Sequence, residues 1–332
     1  MPNVLLAALH ELKNNQESDF YAQMSEKELL KTKEGKPYLR VAFRDAYQEV
    51  RFPVWSDTPI YKEFKTLKAG TYCKLRAVYR DNRQYGPQLD IRRIRPVNDE
   101  DKKDGFDPLL LRAKSPFSLE KMFDELHDIA VQQIGKGTLL QLVSKILKDQ
   151  RTALQTAVGS RHHHHCFVGG LLEHTLSVTK ICVALLDHYE TMYPKRKDKI
   201  SRGLTVAGAV LHDIGKIREY VPGAGAAEHS TEGELLGHAV LGRDIIRDAA
   251  AVILLEPEQR MRLEHIVLSH QRFADWGAAK PPMSLEAMLV HHADSLDALT
   301  GCFWNIFEQD NTDNELTSKK NVIGYPLLKP AE

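Results

Sequence analysis

The sequence predicts a multidomain chain: an N-terminal all-β barrel followed by an all-α domain. Three observations carry that prediction. Apolar residues alternate with a period of two from Asp19 to Val97, a polar stretch opening at Asn98 interrupts them, and a helical period takes over beyond it.

Residues 1–16 read as a helical segment, and the start "MPNVLLAALHELKNN" has no basic residue ahead of its apolar run, so it lacks the charged opening of a secretory signal. Within residues 17–97, "YLRVAFRD" sets Leu39, Val41 and Phe43 against Arg40 and Arg44. "EVRFPVWSD" turns Val50, Phe52 and Val54 inward and Arg51 and Trp55 outward, with Pro53 implying an edge or bulge. "TYCKLRAVYRD" sets Cys73, Leu75, Ala77 and Tyr79 against Tyr72, Lys74, Arg76 and Arg80, and "PQLDIRRIRPV" closes the series. A short helix-like piece, "TPIYKEFKTL", lies between the strands. About five strands with one helix inserted suggest a small closed barrel of the oligonucleotide-binding (OB) type.

The polar run "NDEDKKDGFDP" marks a linker assigned to residues 98–117. From 118 to 310 the period is helical: "LEHIVLSH" places Leu263, Ile266, Val267 and His270 on one face, and "ELLGHAVLGRDII" continues Leu235 and His238 onto Leu241 and Ile245. Residues 311–332 read as a tail.

The chain is 42% hydrophobic and 27% charged with zero net charge, ordinary for a folded protein. No apolar run approaches the roughly 18 residues that span a bilayer. Cys73, Cys166, Cys182 and Cys302 are far apart and form no C-x-x-C pair, which argues against a disulfide framework or thiolate zinc and fits a reducing cytoplasm. The charges are unevenly spread: residues 17–97 hold 17 Lys/Arg against 11 Asp/Glu, a surplus of 6 that suits a polyanion. The outward Arg51, Trp55, Tyr72, Lys74 and Arg76 mix cations with aromatics, as single-strand binding requires; the alternative is a solvated face with Trp55 packed at a domain junction.

Several metal-ligating residue types sit on apolar helix faces. His174 shares one with Leu171, Val178 and Ile181, and His212 and Asp213 end the run "GLTVAGAVLHDIGK", where Gly215 is expected to stop the helix. His238 and His270 lie on the stripes above, and Asp294 is flanked by Val290 and Ala298. Burying a polar group without a partner costs roughly 2–7 kcal/mol. Any one of these reads as a core residue bonded to its surroundings. Six on separate helical segments point to imidazole and carboxylate gathered around one or two divalent ions, with Mn first and Fe or Zn as alternatives.

In "HHCFVGGLLEHTLSV", "LHDIGK", "EGELLGH", "LSH" and "SLEAMLVHHADSLDA" the chain resembles the HD superfamily of metal-dependent phosphohydrolases, and within it the YhaM-type 3′→5′ exoribonucleases, which also place an OB fold before an HD domain. The resemblance spans roughly Asp19 to Gly301. It implies His174, His212, Asp213 and Asp294 as core metal ligands, His238 and His270 as ligands of a second ion, and Lys216 as a phosphate contact, for which a helix-end lysine is the plainer alternative. Of the run "RHHHHC", His164 and His165 are implied at the rim of the pocket, facing substrate, whereas His162 and His163 read as a solvated loop. Gly169 and Gly170 would let the backbone pass close to the site. The chain departs from the family where "SHQRFADWGAAKP" stands for roughly "SHHGEYEFGSP": Gln271 and Arg272 replace a His-Gly pair and Ala278 a serine, next to the second ion's ligands. The implied activity is hydrolysis of single-stranded RNA from the 3′ end, with single-stranded DNA as a further substrate, self-association as an option and no membrane partner. An HD phosphohydrolase of small nucleotides or cyclic dinucleotides and a catalytically impaired nucleic-acid-binding adaptor are the competing readings.

Overall fold

The computed structural model describes residues 7–32, 34–82, 86–161, 164–221, 227–310, 312 and 314–331; His162 and His163 lie outside the described residues, as do residues 1–6 of the helical segment, whose described part carries one 3₁₀ turn, Leu9–Glu11. The described residues form two compact units, one through Lys114 and one from Ser115 onward.

The first unit is a five-stranded antiparallel sheet. In chain order come β1 (Glu17–Lys31), β2 (Pro37–Arg44), β3 (Glu49–Trp55), the helix α1 (Tyr61–Thr66), β4 (Tyr72–Asn82) and β5 (Gly86–Pro96). The spatial order is β3-β2-β1-β4-β5. The long β1 serves both halves, pairing β4 through Glu17–Gln23 and β2 from Gln23 to Lys31, with a bulge between Met24 and Glu26. A bulge bends its strand and increases local twist, so it helps to curl the sheet.

The curl stops short of the expected closed barrel. Among the described residues β3 and β5 approach within 8 Å between Cα atoms but share no ladder. Pro53, which has no N–H to offer, sits on that edge of β3, and a cleft of about 610 Å³ lined by Phe52, Trp55, Leu89 and Ile91 separates the two edges. The alternation itself places Leu39, Val41, Phe43, Val50, Phe52, Val54, Cys73, Leu75, Ala77 and Tyr79 inside. Phe43 meets Phe64 of α1 edge-on at 6.0 Å and stacks on Phe52 at 6.2 Å. Each such ring contributes roughly 1.5–3 kcal/mol by burial.

The second unit is helical: α2 (Leu119–Ile134), α3 (Thr138–Asp149), α4 (Arg151–Thr156), α5 (Gly170–Met192), α6 (Arg202–Leu211), α7 (Lys216–Glu219), α8 (Thr231–Ile253), α9 (Pro257–Ser269) and α10 (Leu285–Gln309). A two-residue hairpin, β6 (Tyr220–Val221) with β7 (Glu228–His229), joins α7 to α8. Every residue from Leu204 to Leu211 is buried, so α6 has no polar face and lies at the centre of the core with α5, α9 and α10 around it. No described helix is long and apolar enough to cross a membrane.

Two local expectations change. Leu235 is 77% exposed rather than part of the stripe through His238, because Gly237 takes φ +71° and ψ 157° and breaks the register of α8. Gly215 is not a left-handed helix stop: its φ is −65°, and it is glycine because a Cβ there would lie 1.9 Å from the His238 carbonyl oxygen.

Phe43→Ala is expected to destabilise the sheet unit by about 3–5 kcal/mol, read from the shift of its urea unfolding midpoint. A loss below about 1 kcal/mol would show that these rings do not form the packed centre.

Candidate metal centre

Asp213 stands in the turn between α6 and α7 with its carboxylate buried, and four imidazoles face it from four segments. Its Oδ2 lies 3.4 Å from His174 Nε2 and 3.5 Å from His212 Nε2; its Oδ1 lies 3.3 Å from His270 Nε2 and 3.5 Å from His238 Nε2. Asp294 of α10 joins the first group, with Oδ1 at 3.2 Å from His174 Nε2 and 3.9 Å from His212 Nε2. One carboxylate thus divides five other side chains into two half-sites. His174, His212 and Asp294 gather on one oxygen, and His238 and His270 on the other.

The proton positions follow from the outer partners. His212 Nδ1 donates to the Ala209 carbonyl at 2.8 Å and His270 Nδ1 to the Val267 carbonyl at 2.7 Å. A carbonyl can only accept, so in both rings the neutral imidazole carries its proton on Nδ1 and presents a bare Nε2 inward. Carboxylates play the same part elsewhere: His174 Nδ1 donates to Asp297 at 2.7 Å and His238 Nδ1 to Glu219 at 3.0 Å. His174 Nε2 and His212 Nε2 then face each other at 3.2 Å. Two lone pairs that close would repel; a proton on His174 Nε2, favoured by Asp213 and Asp294, relieves this, and a bound cation would do the same. Both oxygens of Asp213 and Nε2 of His238 are buried without a hydrogen bond of acceptable geometry. Neutral imidazole with carboxylate is the donor set of Mn, Fe and Zn, and outer partners that fix each ring are what metal ligands commonly have. The residues therefore fit two divalent ions sharing Asp213.

The electrostatics agree. Burial would push the Asp213 carboxyl up, but Lys216, His212 and His174 outweigh it and hold it well below the usual range. Burial pulls His174 down, and its bonds to Asp213, Asp294 and Asp297 more than reverse this. In the absence of metal the centre gathers positive charge of some kind.

Lys216 places its buried Nζ 2.6 Å from Asp213 Oδ2 and donates to the Gly159 carbonyl at 2.7 Å, so its ammonium is turned onto the centre. The described half of the histidine run packs here too. His165, at φ +49°, sets Nε2 3.1 Å from Asp297, and the His164 ring tilts against His174 with centroids 5.2 Å apart. Burial, then the charges of His174, Lys216 and His165, push the His164 imidazole down to about 3. Gly170 permits this approach, since a Cβ on it would lie 2.0 Å from the His165 carbonyl oxygen. Next to His270, Gln271 Nε2 lies 3.1 Å from His270 Nε2, and Arg272 takes a left-handed φ of +66°.

Two partners escaped the sequence reading, Asp297 and Glu219. Asp297 follows Asp294 by three positions on α10, so helical spacing alone offered a signal for it. Glu219 is brought to His238 by the β6–β7 hairpin and offered none.

On the sheet, the five outward residues stand on two strands. Arg51 and Trp55 stand on β3, whereas Tyr72, Lys74 and Arg76 stand on β4, with β2 and β1 between. Arg51 pairs with Glu49 at 2.7 Å and Glu26 at 3.0 Å, Arg76 with Glu17 at 2.7 Å, and Lys74 with Asp104 at 3.1 Å. Tyr72 meets Phe106 edge-on at 5.7 Å, and Trp55, 46% exposed, leans on Tyr38 at 5.0 Å.

The shared carboxylate predicts unequal losses. Purified Asp213→Ala should carry no divalent metal by elemental analysis, whereas His238→Ala should keep one equivalent of two. Equal retention by both variants would remove Asp213 from the bridge.

Comparison with known proteins agrees with this geometry. Residues 171–299 match the HD domain family. Over 271 residues the chain is 30% identical to the 3′-5′ exoribonuclease YhaM of Bacillus subtilis (strain 168), covering 80% of this chain and 79% of that one. The YhaM of Bacillus velezensis is 29% identical over 292 residues, 87% of each chain, and that of Listeria welshimeri 28% over 269 residues, 80% and 79%. With the buried His and Asp set in the stretch that matches the HD family, this chain belongs to the YhaM family of 3′-5′ exoribonucleases.

Proposed function

We propose that the chain is a metal-dependent nuclease that shortens single-stranded RNA from its 3′ end, releasing nucleoside 5′-monophosphates. The observation that carries the reading is the Asp213 carboxylate with bare imidazole nitrogens on both oxygens. The names of the relatives supply the polarity and the RNA. Manganese is the ion we assign, with iron or zinc as alternatives. Single-stranded DNA is a secondary substrate in this reading, the cytoplasm its setting, and self-association is compatible with it.

Divalent ions bound there supply Lewis acidity for in-line displacement at phosphorus. The rest is done by the protein. Asp213, Asp294 and the four rings hold the positive charge where the scissile phosphate must come, and Asp297 and Glu219 keep the rings from turning. Lys216, buried beside it, offsets the anionic charge of Asp213. His164, neutral at pH 7, lies beside the centre as a hydrogen-bond partner that adds no charge. In the reaction the oxygen of water bonds to phosphorus, the P–O3′ bond breaks, and O3′ leaves with a proton. The sheet unit holds the upstream strand through its exposed aromatic and basic side chains.

Asp213→Ala should abolish hydrolysis while leaving RNA affinity within a few-fold of the parent, tested with an end-labelled single strand in Mn and again in excess chelator. A stepwise ladder lost in the variant and in chelator is the expected result. Mononucleotides hydrolysed as fast as oligomers would instead favour a small-molecule phosphohydrolase. For the sheet unit, Trp55→Ala with Arg76→Ala should weaken binding of long strands and reduce the slope of log affinity against log salt by about one. An unchanged slope would assign both residues to packing.

A further inference from the structure

Behind the His174 ring, on the side away from Asp213, the helical unit has a second concavity of about 540 Å³. Its floor is one face of α10. Asp294, Asp297, Gly301 and Trp304 are spaced three, four and three apart, so they follow one another along the helix over about 15 Å, from the metal centre to the pocket's far end. Asp297 belongs to both places: it accepts from His174 Nδ1 at 2.7 Å and lines the pocket. His165 does the same from the histidine run, and Gly301 lets that run lie close, since a Cβ there would stand 3.0 Å from His164 Cβ.

Two aromatic side chains line the pocket with their rings largely open, Phe117 at 61% and Trp304 at 56% exposed. Their open rings offer faces on which a planar group could stack. The lining holds two lysines and three carboxylates. Each lining carboxylate is already engaged, Glu125 with Lys180 at 2.6 Å, Glu173 with Ser115 at 2.5 Å, and Asp297 with both histidines. Among the described residues Lys121, exposed on the same wall, is in no ion pair.

We propose that this pocket receives the 3′-terminal nucleoside of the substrate, its base stacked on Trp304 and Phe117, while the phosphate on its 5′ side lies at the Asp213 centre. The assignment rests on the exonuclease reading above. Asp297 and His165 line the pocket, and Asp297 is hydrogen-bonded to the ligand ring of His174, so the pocket lies next to the centre. Its volume lies in the range of small-molecule sites. Stacking on an aromatic face favours no particular base, which is what an enzyme stepping along an arbitrary sequence needs.

The test uses the full-length protein in Mn and a short RNA whose last nucleotide carries either a base or a hydrogen in its place. The parent enzyme should lose between about 5- and 150-fold in kcat/KM on the abasic end, the range that one stacked base accounts for. Trp304→Ala should show a similar loss on the normal end and little further loss on the abasic one, because both changes delete the same contact. Trp304→Phe should recover most of the loss, and since the Trp304 ring is mostly outside the core, neither variant should disturb folding. Binding of a nucleoside 5′-monophosphate should quench tryptophan fluorescence in the parent and much less in Trp304→Phe. If the parent shortens both substrates equally well, or the two losses multiply, the base lies elsewhere and the exonuclease reading stands without this pocket. If the parent leaves every RNA intact, both fall together.

Discussion

A carboxylate with bare imidazole nitrogens on both of its oxygens is the constraint on which the helical unit depends. Asp213 is buried, and an uncompensated anion at that depth would cost several kcal/mol. The protein surrounds it with Lys216 and four imidazoles. The surrounding backbone is shaped to that arrangement. Gly215 lets the turn carrying Asp213 press against the His238 carbonyl, Gly170 lets α5 start beneath His165, and the break at Gly237 resets the register of α8 at the position before His238. Gly215 also lets this turn pack against the backbone of α8 at Gly242.

The four rings are held in two ways. His212 and His270 cap the C-termini of α6 and α9, and each donates Nδ1–H to the carbonyl three residues back. Terminal carbonyls of a helix lack intrahelical partners, so one bond satisfies the helix end and aims Nε2 beyond it. His174 and His238 stand inside α5 and α8, where carbonyls are already bonded. They need an acceptor from another element, and Asp297 and Glu219 provide it. The side-chain acceptors can be altered without breaking a helix, whereas the backbone ones cannot. Tuning of ring basicity therefore falls to Asp297 and Glu219.

This division accounts for what was legible in the sequence. Histidines and aspartates on apolar faces stand out because burial without a partner is expensive, so His174, His212, Asp213, His238, His270 and Asp294 could be read, and the structure brings them together. Their partners are harder to see. Asp297 lies in an acidic, half-polar stretch of α10 and Glu219 in a short helix whose position depends on a hairpin, so neither interrupts a periodic pattern. The strands were readable from alternation, but closure of the sheet was not. Closure depends on whether β3 and β5 can exchange backbone bonds, and alternation is silent about edges. Outward direction is visible in a sequence, while the two strands between β3 and β4 are not.

The two half-sites are chemically unequal. The first has two imidazoles, Asp294 and a share of Asp213; the second has two imidazoles and a share of Asp213 alone, and the Gln271 amide stands 3.1 Å from one of its nitrogens. A lone pair on His270 Nε2 that accepts from Gln271 is not free for an ion, so each ion bound there must displace that contact. Arg272 keeps the backbone of this turn in the conformation a glycine would take. Fewer anionic ligands in the second half also leave more positive charge uncompensated when both are filled, and an incoming phosphate is the group suited to neutralise it.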